Sequence, residues 1–250
     1  MSRGLYDSPS APPMMIVQHV LVIFLVVGTP LWDWYAIPRL KASTNPRKKV
    51  RFYRLIVISS WVCAAIAVAT VGFGQVFRSA GTEVAWLNPR ARMGALAMGL
   101  IAGMFLAIFV PAVLALRSEK IRVKAAKAAK KLSFILPSSG EERRWWWLVC
   151  ITAGICEEIV YRGFLLHYFQ VTAFHLSLTL ALVVSSVIFG IGHLYQGVAG
   201  GLSTVVIGFV MGILFVMTGN LLLPMVLHAV MDLRVLAMLP EGFETAEISA

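Results

Sequence analysis

The chain alternates between long apolar runs and short polar connections. Seven runs stand out, over residues 14–36, 55–78, 93–116, 145–169, 174–194, 197–218 and 220–238. About 20 apolar residues suffice for a helix to cross a bilayer core of about 30 Å. Each run is continuous rather than alternating, which argues for helices and against the short dyad pattern of a membrane barrel. The expected fold is all-α: a polytopic transmembrane helical bundle of about seven spans, with the active site inside the bundle. The first run is followed by "GTPLWDWY", aromatic anchors without a small-residue cleavage pattern, so a retained helix is expected there rather than a signal peptide.

Composition agrees with the pattern. Of 250 residues, 59% are hydrophobic and 14% charged, and the mean hydropathy is +0.81, too apolar for an ordinary soluble domain. The net charge of +10 is unevenly placed: seven Lys and Arg lie between Arg39 and Arg54, and nine between Arg117 and Arg144. Basic residues gathered between apolar runs mark cytoplasmic connections and attract anionic lipid headgroups; they do not describe a nucleic-acid surface. Loops 39–54 and 117–144 are therefore expected in the cytoplasm, with the N-terminus outside and the C-terminus inside. A prokaryotic cell (inner) membrane is the expected location. Cys63, Cys150 and Cys156 lie inside apolar runs without metal-ligand spacing, so no disulfide framework is implied.

The chain divides into a three-span region with basic loops over 1–144, a four-helix core over 145–238 and a short tail over 239–250. The core holds the ionisable residues that do not belong in a membrane. Run four carries Glu157, Glu158 and Arg162; run five ends with His193; run seven carries His228 and Asp232. A charged group near the bilayer centre costs about 2.5–3.5 kcal/mol on insertion scales, so these residues must face one another or a wet cavity. Glu158 and Arg162 are four apart and share a helix face, as do His228 and Asp232. Glu157 points elsewhere, about 100° round. Counting along the helices, Glu157 lies roughly 18 Å beyond Trp145 and His228 about 12 Å beyond Asn220, which gives matching depths. His193 is shallower, and a cavity open toward the cytoplasm would reconcile the three. The glycines of run six, with Gly197 and Gly201 four apart and Gly208 and Gly212 four apart, point to close helix packing.

A carboxylate beside two histidines allows two chemistries. The acid can act as general base on a water while imidazoles polarise a carbonyl. Alternatively, Glu157, His193 and His228 can hold a zinc ion whose bound water is the nucleophile. There is no HExxH, and Ser185, Ser186 and Ser203 lack a nucleophile-elbow setting. Two further classes stay open at this point: a non-catalytic membrane scaffold or immunity protein, and a proton-coupled transporter built on the same acids and histidines.

Three ordered motifs carry a resemblance: E-E-x-x-x-R at Glu157, Glu158 and Arg162; F-x-x-x-H at Phe189 and His193; and H-x-x-x-D at His228 and Asp232. Over about residues 145–238 the chain resembles the CAAX protease and bacteriocin-processing (CPBP, or Abi) intramembrane proteases, the type II CAAX prenyl endopeptidase-like family. The resemblance implies an intramembrane endopeptidase acting on a membrane protein or a lipidated or peptide substrate. It implies Glu157 as activator of the water with His193 assisting, and His228 with Asp232 steadying the oxyanion or binding metal. Asp232 stands where eukaryotic-type members tend to carry Asn. Glu158 and Arg162 are expected as a supporting ion pair and Phe189 as a wall. Zn2+ and metal-free water activation are both compatible with it.

Overall fold

The computed structural model describes residues 12–43, 45–77 and 92–238; the tail expected at 239–250 lies outside the described residues. The described chain is helical throughout, without strands. In order the helices are α1 (12–41), α2 (Pro46–Val71), α3 (Phe73–Phe77), α4 (Arg92–Arg117), α5 (Glu119–Ala129), α6 (140–172), α7 (Leu178–Ile191), α8 (Val198–Thr218) and α9 (Leu222–Met238). Each of the seven apolar runs overlaps at least one of these helices, and run 55–78 covers parts of both α2 and α3. Four stretches are long and apolar enough to cross a membrane: Pro13–Lys41, Arg47–Val71, Met98–Arg117 and Val198–Thr218. Their outer faces leave large apolar side chains bare, with Ile16 66%, Ile58 62% and Leu106 62% exposed, as suits a lipid-facing surface.

The second half of α6 is the centre of the bundle. Phe164 and Leu165 are fully buried there, against Leu21 and Leu25 of α1, Ala64 and Ala67 of α2, and Ala181 and Leu182 of α7. Helices α2 and α9 flank α6, α7 pairs with α8, and α4 closes on α8 and α9 through Met104, Met211, Leu214 and Leu227. The glycines decide how close these helices come. A Cβ on Gly154 would lie 2.8 Å from Ala229 N and 2.9 Å from Met225 O, so α6 and α9 touch backbone to backbone there. Gly201, Gly208 and Gly212 of α8 meet Leu194, Phe189 and Leu182 respectively, the close packing expected from their spacing. Gly197 differs: its φ of +89° starts α8, and nothing lies against it.

Two boundaries depart from the hydropathy pattern. Helix α6 begins at Gly140, before the tryptophans at 145–147, because Ser139 caps it and accepts from Glu142 N, with Glu141 and Glu142 in the first turn. The basic stretch 39–54 is largely helical rather than a loop. Helix α1 runs on to Lys41, and α2 starts at once behind Asn45, whose side chain accepts from Arg47 N, with Pro46 in the first helical position. The two basic regions meet at one end of the bundle. Lys49 Nζ donates to Ser133 O and Leu136 O and pairs with Glu142 at 3.4 Å, and Tyr53 donates to Ile135 O.

Candidate active site

The local backbone of α6 is unusual where the acids sit. Glu158–Phe164 forms a π-helical segment, a single widened turn of the kind that often marks functional sites. Widening shifts the hydrogen-bond ladder, and Ser185 of α7 donates to Tyr161 O at 2.6 Å. Ser186 donates to Leu182 O within its own helix, so both serines serve the backbone.

On this turn Glu157 and Glu158 take different surroundings. Glu158 is fully buried. Its Oε1 accepts from Arg162 at 2.9 Å and from His228 Nδ1 at 2.7 Å. The expected ion pair is present, but it is the middle of a chain that reaches α9. Because Nδ1 of His228 donates to a carboxylate, its other nitrogen, Nε2, is the one turned to the site. That Nε2 lies 3.8 Å from Glu157 Oε2 and 3.7 Å from Asp232 Oδ2. Both gaps exceed a hydrogen bond and suit a small molecule bridging the groups. Glu157 Oε2 has no hydrogen-bond partner among the described residues.

Phe189 is the wall between these groups. Its ring lies edge-on to His193 at 4.6 Å and to His228 at 5.9 Å, and the Arg162 guanidinium sits 4.3 Å from its centroid. His193 lies just beyond the end of α7, in the turn before Leu194–Gln196, and not within the helix as the apolar run suggests. Helix α7 stops at Ile191, and His193 Nδ1 donates to Phe189 O at 2.8 Å, which fixes the ring.

Glu157, Phe189, His193, His228 and Asp232 all line one cavity of about 1080 Å³. Glu158 and Arg162 are behind its wall. The cavity runs on to Leu132, Ile135, Leu136 and Trp146 at the basic end of the bundle, and this extension brings the shallower His193 into the same space as the deeper Glu157. Helices α1 and α2 complete it through residues such as Trp32, Asp33, Ile56 and Cys63. Asp33 escaped the sequence reading; an acid in an otherwise apolar run was the signal for it.

Residues 140–234 match the type II CAAX prenyl endopeptidase Rce1-like family. This part of the chain is similar to that family. The match supports the CPBP resemblance, and the long apolar helices support an integral membrane protein whose residues 140–234 are similar to type II CAAX prenyl endopeptidases. Comparison with curated proteins gives no match, and comparison with solved structures gives none either. The matched segment starts at the cap of α6 and ends beside Asp232, so it contains all three motifs; α1 and α2, which supply the rest of the cavity wall, lie outside it.

The donor set for zinc can be compared with the geometry. Among the described residues, no three His, Cys, Asp or Glu side chains are gathered closely enough to hold a metal ion. Glu157, His193 and His228 share the cavity without forming a coordination shell. Cys63, Cys150 and Cys156 are free thiols; Cys63 and Cys156 line the cavity and Cys150 is buried.

Proposed function

We propose that the chain hydrolyses a peptide bond of a membrane-anchored or lipidated substrate, with Glu157 activating the water. The single observation that carries this reading is the pair of oriented groups across a 3.8 Å gap: an unpartnered Glu157 Oε2 and the Nε2 of a His228 held by Glu158. A water in that gap reaches both. Glu157 takes its proton as the oxygen attacks the scissile carbonyl, and returns it to the leaving amine as the C–N bond breaks. His228 in its protonated form donates from Nε2 to the developing oxyanion, and His193 assists from across Phe189. Asp232 orients His228 and the water. This scheme is one of metal-free water activation, and zinc held by Glu157, His193 and His228 is the alternative that metal analysis of the purified chain tests.

The meeting of both basic regions at one end supports a cytoplasmic location for that end, with the cavity opening toward it. A prokaryotic cell membrane fits the same reading. Substrate then enters from the side where lipidated C-termini are displayed.

The test is reconstitution. The purified chain in liposomes is given a prenylated CAAX-type C-terminal peptide and an unprenylated copy, and released fragments are weighed by mass spectrometry. Release of the C-terminal tripeptide supports the reading. Absence of any cleavage, with proton flux across the same liposomes, would instead establish the transporter alternative.

A further inference from the structure

The cavity holds one acid that the reaction above does not use. Asp33 lies on α1, outside the Rce1-like segment, and the stretch of α1 that carries it packs on Leu194–Gln196, the turn that follows His193. It lines the cavity together with Glu157, His193 and His228. Trp32, Tyr35, Tyr161 and Tyr195 line the same cavity, so Asp33 shares it with aromatic groups. Among the described residues Asp33 has no hydrogen bond and no ion-pair partner. Arg234 is the one Lys or Arg lining the cavity among the described residues, and it donates to Ala107 O at 3.1 Å.

We infer that Asp33 is the anionic end of a subsite for a cationic side chain of the substrate, a lysine or an arginine near the scissile bond. A carboxylate in an apolar wall is costly when it stands alone. A bound cation supplies the missing counter-charge. The rings of Trp32, Tyr35 and Tyr195, which line the same cavity, offer faces to the alkyl stem and the charge of a Lys or Arg. The chemistry selects a cation over a neutral residue of equal length and rejects a glutamate. This inference rests on the protease reading, because it names a feature of that reaction's substrate.

The experiment uses the full chain in liposomes and peptides in which one lysine is moved a position at a time across the scissile bond. Each is matched by a peptide with norleucine in its place. Wild type is expected to prefer lysine at one position by at least about tenfold in kcat/KM, the preference falling on KM. Asp33→Asn is expected to abolish the preference while cleaving the norleucine peptide at the wild-type rate. Asp33→Lys is expected to favour glutamate there instead. If wild type cleaves lysine and norleucine peptides alike at every position, the subsite is wrong and the protease reading stands. If Asp33→Asn slows both peptides equally, Asp33 supports the fold and the subsite is again wrong. If wild type cleaves none of the peptides, it is the protease reading that fails.

Discussion

At the scale of the residue, the site divides its carboxylates by environment. Glu158 spends both its close contacts on Arg162 and His228, whereas Glu157 lines the cavity and its Oε2 has no hydrogen-bond partner among the described residues. Replacing Glu158 by Ala strands a buried guanidinium and releases the His228 ring. The expected loss is about 3–5 kcal/mol of stability, read from thermal unfolding in detergent, together with loss of cleavage. Asp232→Asn keeps a polar group 3.7 Å from His228 Nε2 and offers an amide donor, so cleavage is expected to persist. Asp232→Ala removes that group and is expected to lower kcat by about 10²-fold, in line with loss of one preorganised polar contact. Equal rates for the Asn and Ala variants would remove Asp232 from the site. The individual acids and histidines were legible in the sequence because each is expensive in an apolar run. That Glu158 joins Arg162 to His228 was not, since the pairing spans 70 residues and depends on how α6 meets α9.

At the scale of the element, the site exists because α6 and α9 approach at Gly154. A methyl group there would meet the backbone of α9 at 2.8–2.9 Å, and backbone does not yield cheaply. Gly154→Ala is expected to destabilise by about 1–3 kcal/mol and to pull His228 away from Glu158, with cleavage lost. Gly99→Ala in α4, where nothing lies within 4 Å of the added carbon, is the control and should leave stability and cleavage intact. If both variants behave alike, the close crossing does not hold the site. The helical character of the apolar runs could be read from hydropathy, and four of the helices are long and apolar enough to cross a membrane. The widened turn over Glu158–Phe164 could not, because no local composition marks a π-helical segment. The end of α7 before His193 was equally hidden, although Gly190 and Gly192 stand beside it.

At the scale of the whole molecule, the cavity joins the Rce1-like segment to helices outside it. Its floor is built from α6, α7 and α9 and its outer wall from α1 and α2, so removal of the first two helices is expected to abolish cleavage although every motif residue remains. The basic end gives a prediction of sidedness. With the three native cysteines replaced, Lys130→Cys on the exposed basic segment should react with a membrane-impermeant maleimide in inverted vesicles and not in intact cells. Labelling in intact cells would reverse the orientation. Chelators are expected to leave cleavage unchanged, because among the described residues no three ligands are gathered closely enough to hold a metal ion. The most direct test of the central claim is kcat for Glu157→Gln in liposomes, beside wild type and with unfolding temperatures matched. A fall of about 10²-fold or more is expected, since the amide keeps the shape and cannot take the proton. Cleavage by Glu157→Gln at the wild-type rate would show that another group activates the water, and the assignment of Glu157 would be wrong.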